Sequence, residues 1–295
     1  MTSALAAGLT TLRGLDAPCR VHPGEAGVVV TVENWAVARG LVSRATAGQA
    51  RFGVLASRAF PESSPDVAAL SGQWLAWFCA SDDERDDGAE LGLGVLDRAF
   101  EELWAATAPR AGAYWARRFL AEYERYRRSE SAELASRRSR RAPALADFEG
   151  FRRATVGTFL LLLPEPLLGV ELPPAIGYTS QWRTLTEAAA DVIAWTNDLA
   201  SVDRDTSSGD TTSYVLVAAH ELGLTRPEAV EWVCGRVAGR MAEMRRAAMD
   251  LPAQFEGQGL TRAATHDVSR IAMTLLSAPR AHLEWLIESG RYELT

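Results

Sequence analysis

The chain has 295 residues, 47% of them hydrophobic, and a formal net charge of −7. That is enough for one large core or two modest ones, and the acidic balance argues against a nucleic-acid-binding role, which calls for a basic face. All 31 basic residues are arginine, which excludes chemistry built on an ε-amine: Schiff bases, pyridoxal attachment and the P-loop lysine.

Cys19, Cys79 and Cys234 are far apart and odd in number. They form neither a metal pattern nor a disulfide framework, so a reducing, cytoplasmic setting is expected. The N-terminus, MTSALAAGLTTLRG, has no basic residue ahead of its mildly apolar stretch, which argues against a signal peptide. Residues 1–30 read as an irregular segment. GVVVTVEN (27–34) is the one strand-like run, and it leads into a helical pattern beginning at Trp35.

Apolar residues then recur at helical spacing near 66–80, 89–106, 112–135, 148–163, 181–204, 210–221, 226–250 and 259–289. The stops fit the breakers Pro61, Pro109, Pro143, Pro164, Pro173, Pro174 and Pro252. Asp147 and Thr225 sit where N-caps belong, and Pro227 suits a first helical turn. The run TFLLLLPEPLLG is cut by Pro164, Glu165 and Pro166 and is too short to span a bilayer, so no stable membrane insertion is expected. The charged stretch 123–143 reads as a solvated helix end and loop, with Glu133 and Arg137 a surface pair one turn apart. His22, His220, His266 and His282 are scattered without metal spacing and read as surface or satisfied core residues. The expected fold is a single all-α domain over 1–295, a bundle of roughly ten helices.

Four stretches carry chemical potential. In WFCASDDERDD (77–87), Asp82 and Asp86 are one turn apart on a helix, and Asp83 points about a quarter-turn away. Leu75, Phe78 and Cys79 continue the Asp82 face toward the N-terminus, so an apolar face ends in aligned carboxylates, the hard oxygen donors Mg²⁺ takes. Taken alone, such a pair is more often a solvated helix end. In AWTNDLASVDRD (194–205), Asn197, Ser201 and Asp205 fall at i, i+4 and i+8, within ~80° of arc. Ala190 and Ile193 continue that face as apolar, and Arg204 adjoins Asp205. In FRRATVGTF (151–159), Arg152 and Arg153 enter an apolar run, which is costly unless they meet an anion. The chain closes with Arg291 and Tyr292, with Trp285 six residues before Arg291.

Together these stretches resemble class I terpene synthases, especially the bacterial single-domain kind. DDERD resembles the aspartate-rich DDxxD motif, NDLASVDRD the second metal motif NDxxSxxRE, and Arg291–Tyr292 the C-terminal Arg-Tyr pair. Arg152 is similar to the arginine that senses diphosphate. The resemblance covers nearly the whole chain, including the tryptophan-to-Gly-Leu stretch at 35–41, SRAFP at 57–61 and the Gly-Asp at 209–210. Asp205 departs from the usual glutamate, and Phe148 stands where tyrosine is frequent. Cys79, Ala80 and Ser81 make the approach to the first motif smaller and more polar than is usual.

The resemblance implies an α-helical bundle around a deep apolar cavity, in which a linear prenyl diphosphate (farnesyl or geranylgeranyl) is ionised and cyclised to a terpene hydrocarbon or alcohol. It implies three Mg²⁺ ions. Asp82, with Asp83 and Asp86 of the same motif, would serve one side, and Asn197, Ser201 and Asp205 would hold another ion. Arg152, Arg204, Arg291 and Tyr292 would bind diphosphate, with Asp83 fixing Arg291 on closure. Trp285 first, and Phe78 second, would steady carbocations. Thr155, Val156 and Gly157 would form the helix break that helps trigger ionisation. A homodimer is compatible with the family. The rival readings are a prenyl-chain elongating transferase, which would want a second aspartate-rich motif and lysines, and a catalytically inactive helical prenyl-diphosphate-binding protein. A class II cyclase would need DxDD, which DDERDD does not contain.

Overall fold

The computed structural model describes residues 3–14, 19–86, 91–139, 141–208 and 212–289, without the side chains of residues 3–6, 85, 86 and 137. The described chain is all-α, with no strand among the described residues. It opens with α1 (Ser3–Gly14), α2 (Glu25–Ala38), α3 (Arg44–Ala50), α4 (Phe52–Ala59) and α5 (Pro65–Asp86). It continues through α6 (Val95–Thr107), α7 (Ala113–Ser139), α8 (Leu145–Thr155), and the short α9 (Pro164–Leu168) and α10 (Pro174–Gly177). The remainder is α11 (Ser180–Ser208), α12 (Tyr214–Leu222), α13 (Arg226–Met249), α14 (Leu251–Gly257) and α15 (Arg262–Glu288).

Two expectations about the N-terminal region are corrected. Residues 3–14 and 25–38 are helical, not irregular, and GVVVTVEN lies inside α2. Val28, Val32 and Ala36 are buried at a four-residue spacing while Val30 is exposed, so burial follows the helical period. The modest helix propensity of valine is overridden by packing that α2 finds against α4 and α5. That packing is close: a Cβ added at Gly53 would lie 2.5 Å from the Val29 Cα.

Capping explains other boundaries. Thr225 caps α13 in a capping box, its backbone N–H donating to the Glu228 carboxylate at 2.8 Å, and Pro227 sits in the first turn. Asp147 is not a cap; it lies within the first turn of α8, whose N-cap is Ala144, and there it complements the helix dipole. The helix expected over 148–163 ends at Thr155, and a 3₁₀ turn follows over Thr158–Leu162.

The long α11 is the axis of the fold and packs against α8, α12, α13 and α15. Behind α5 lies an aromatic core of Trp74, Trp77, Phe100, Trp104, Trp115, Phe119 and Phe159, with ring centroids 5.0–6.5 Å apart in mostly tilted and edge-on pairs. Three of its indoles donate hydrogen bonds: Trp74 to the Thr107 hydroxyl at 2.9 Å, Trp77 to the Leu96 carbonyl at 2.9 Å and Trp115 to the Leu162 carbonyl at 2.8 Å. A second hydrophobic cluster joins the first half of α11 to α10 and α13–α15.

Candidate active site

The α-helices enclose an apolar cavity. Its walls include Leu55, Ala56 and Ala59 of α4, Leu75, Phe78 and Cys79 of α5, Ala190 and Ile193 of α11, and Leu275, Ala278 and Trp285 of α15. The helix faces that the periodicity aligned on α5 and α11 therefore look into one space. Its polar residues include Asp82 of α5, Arg152 of α8 and Asn197 of α11, so three sequence-distant groups meet around one apolar chamber. Pro279 withholds the backbone donor that would reach the Leu275 carbonyl, on the stretch of α15 that borders the cavity.

Ser201 and Asp205 lie one and two turns beyond Asn197 and are buried. The Ser201 hydroxyl donates to the Asp205 carboxylate at 2.6 Å, so these two side chains converge although aspartate is shorter than glutamate. Arg204 approaches Asp205 at 3.6 Å and is partly exposed. Oxygen donors without sulfur or imidazole suit Mg²⁺, and the amide, hydroxyl and carboxylate of this helix fit that demand. No group of three or more His, Cys, Asp or Glu residues with metal-binding geometry occurs among the described residues. Asp83 is half-buried on α5, and Asp86 is its last helical residue, with its side chain outside the described residues. Arg291 and Tyr292, and with them the Asp83–Arg291 pairing, lie outside the described residues.

Each arginine of the pair on α8 meets an anion from α11. Arg152 donates through Nη2 and Nε to Asp198 at 2.8 and 3.0 Å, and through Nη1 to the Thr155 hydroxyl at 3.0 Å. Burial opposes its charge, but Asp198 more than offsets this, with help from Glu133 and Asp82, and raises the guanidinium pKa above its ordinary value. Asp198 also accepts the Tyr214 backbone N–H at 2.9 Å, tying the start of α12 to the same carboxylate. Arg153 turns away to Asp191 at 2.7 Å, which Arg240 also binds at 2.8 Å.

The helix break is built from all three expected residues. Thr155 ends α8, Val156 is its C-cap, and Gly157 takes φ 74°, the left-handed region that favours glycine. A Cβ at Gly157 would sit 2.5 Å from the Phe78 ring, so glycine also makes room for that wall. Phe78 is held by Tyr126 and Phe159 at centroid distances of 5.5 and 6.2 Å. The Trp285 indole donates to the Ala50 carbonyl at 2.6 Å, which anchors its ring in the cavity wall.

Sequence reasoning missed three residues here. Asp198, the residue after Asn197, is the anion that Arg152 needs. Glu133 is buried, not at the surface, and accepts from the Thr212 hydroxyl at 3.3 Å; the Arg137 side chain lies outside the described residues. His282 lines the cavity, where burial and then Arg152 push its pKa down to about 3. Its position three residues before Trp285, on the same helix face, was the available signal.

An all-α fold enclosing an apolar chamber, with carboxylate, guanidinium and amide groups converging from three helices, defines a class of enzyme for a substrate with an apolar body and an anionic head. The profile described as terpene synthase family 2, C-terminal metal binding, matches residues 73–243, and the chain belongs to this family of metal-binding terpene synthases. It is thus a lyase acting on a prenyl diphosphate. The (−)-delta-cadinene synthase of Streptomyces clavuligerus is 29% identical over 269 residues, covering 82% of this chain and 81% of that relative. The (+)-T-muurolol synthase of Roseiflexus castenholzii, named as cyclising farnesyl diphosphate, is 27% identical over 225 residues, covering 67% of this chain and 69% of that relative. A variant of cucumene synthase has a similar structure, with a TM-score of 0.82 at 25% identity over 94% of this chain and 98% of the other. No helix among the described residues is long and apolar enough to cross a membrane.

Proposed function

We propose that this terpene synthase ionises farnesyl diphosphate in a Mg²⁺-dependent reaction and cyclises the resulting cation to a fifteen-carbon product. The observation that carries this reading is the meeting of Asp82, Arg152 and Asn197 at a chamber whose other walls are largely apolar and aromatic. The fifteen-carbon choice draws support from relatives named as farnesyl diphosphate cyclases.

Three Mg²⁺ ions are assigned, with Asp82, helped by Asp83 and Asp86, on one side and Asn197, Ser201 and Asp205 on the other. When bound, the ions neutralise diphosphate charge as the carbon–oxygen bond breaks. Arg152, Arg204, Arg291 and Tyr292 hold the diphosphate oxygens. Arg152 is preorganised for this by Asp198 and Thr155, so little reorganisation is needed at ionisation. The apolar walls keep water from the allyl cation. The faces of Trp285 and Phe78 steady positive charge, an effect worth ~2 kcal/mol where desolvated. Gly157 lets the segment after α8 turn sharply over Phe78, which couples the Arg152 end of α8 to the cavity wall.

The test incubates purified protein with geranyl, farnesyl and geranylgeranyl diphosphate, with Mg²⁺ or with chelator, and analyses extracts by gas chromatography–mass spectrometry. A Mg²⁺-dependent cyclic product from farnesyl diphosphate is expected. A product from another chain length alone overturns the substrate assignment, and acyclic alcohols alone overturn cyclisation.

A further inference from the structure

Among the cavity-lining side chains, His282 combines a hydrogen bond that orients its ring with a nitrogen that can accept a proton. The Thr196 hydroxyl lies 2.7 Å from the Val192 carbonyl and 3.1 Å from that of Ile193, so its hydrogen is committed to the backbone of α11. Its oxygen therefore meets His282 Nδ1, 3.4 Å away, as an acceptor, which makes Nδ1 the N–H and leaves the lone pair on Nε2. Among the described residues Nε2 has no hydrogen-bond partner, yet it is not sealed in the core: the residue borders the cavity. The ring lies 5.6 Å from that of Trp285, tilted by 41°. A base next to a cation-stabilising aromatic face is placed where a cyclised cation would rest.

We propose that His282 is a catalytic residue that ends the reaction: Nε2 takes a proton from the carbon adjacent to the final cationic centre. The C–H bond breaks, its electron pair becomes the new carbon–carbon double bond, and the proton forms an N–H bond at Nε2 while Nδ1–H stays on Thr196. The product is an olefin, and the imidazolium passes its proton to the released diphosphate or to water when the cavity opens. The weak basicity of this ring is no obstacle, because a carbocation is far more acidic than an imidazolium. It also keeps the ring neutral before turnover, so it does not repel the forming cation.

The inference rests on the function proposed above, and the experiment separates the two. His282→Phe keeps a planar ring without a lone pair, and His282→Asn keeps a polar group near Thr196 without the imidazole. Diphosphate release reports ionisation, and product analysis reports termination. The wild type is expected to give an olefin. In both variants diphosphate is still released, and the same ring skeleton ends in a different way, as an alcohol or a shifted double-bond isomer. The share of the original olefin falls by ~10²-fold, the low end of what a positioned base contributes. If His282→Phe does not fold, His282→Asn decides alone. An unchanged olefin places the base elsewhere and overturns the assignment. So does a changed ring skeleton, which would mark His282 as a shape residue, and so does an alcohol from the wild type. A wild type that releases no diphosphate overturns the proposed function itself and this step with it.

Discussion

At the scale of single residues, the site depends on groups that are modest alone and consequential together. Asp82 and Asn197 come from helices more than a hundred residues apart and border one cavity. Asp82→Ala or Asn197→Ala should cut turnover by at least ~10²-fold, since each removes a proposed ligand of the ions that would neutralise the charge developing on the leaving diphosphate. Circular dichroism should show helicity intact, because neither side chain carries the packing of its helix; full activity in either variant would sink the assignment. Trp285 is different, for its ring is both wall and core. Trp285→Ala should shift products toward acyclic and monocyclic ones and lower stability by about 3–5 kcal/mol, as read by product analysis and urea melts. An unchanged product profile would remove it from the cation's path.

At the scale of elements, buried and half-buried ion pairs fasten helices that apolar contact alone orients loosely. The Glu284 carboxylate of α15 accepts from Arg13 of α1 at 2.6 and 3.0 Å and from Arg280 at 2.6 Å. Burial pushes the Glu284 pKa up, but the two arginines win and hold it below its ordinary value. A carboxylate with a lowered folded pKa binds fewer protons folded than unfolded, so its contribution is present above the ordinary glutamate range near ~4.3 and is lost as pH falls below it. Hydrogen exchange should therefore show α1 loosening from α15 as pH drops through 4 toward 3, and Glu284→Gln should loosen it already at pH 7. Equal protection of α1 in the variant and the wild type at pH 7 would count against this fastening. Ion pairs likewise join α8 to α11, where the adjacent Arg152 and Arg153 each meet a separate aspartate, Asp198 and Asp191.

At the scale of the whole molecule, the diphosphate and metal ligands assigned here come from α5, α8, α11 and the end of the chain. A ligand that bridges them stabilises the folded state by mass action, about 2.7 kcal/mol at a hundredfold excess over its Kd. Mg²⁺ and inorganic diphosphate together should raise the melting temperature by a few degrees, and either alone by much less. Equal shifts with diphosphate alone would show that the anion binds without the metal.

The ordered motifs, the helical periodicity and the oxygen-bearing faces of α5 and α11 were legible in the sequence, because a helix places residues three and four apart on one face whatever surrounds it. So was the N-cap at Thr225, which depends on local chemistry, whereas the break at Thr155–Gly157 was expected only from the family resemblance, since the apolar periodicity runs on to 163. GVVVTVEN was not legible as a helix, since its valines satisfy either period and packing against α4 and α5 selects the helical one. The partner of Arg152 and the burial of Glu133 were decided by tertiary structure alone, and the place of His282 in the cavity wall was signalled only by its helix-face spacing from Trp285. Burial and pairing depend on which faces of distant helices meet, and a linear chain does not state that contact. What the sequence by itself determined was the family, the all-helical architecture and the oxygen-bearing side chains on their helix faces. Only the folded chain decided which charges neutralise one another and that His282 borders the cavity.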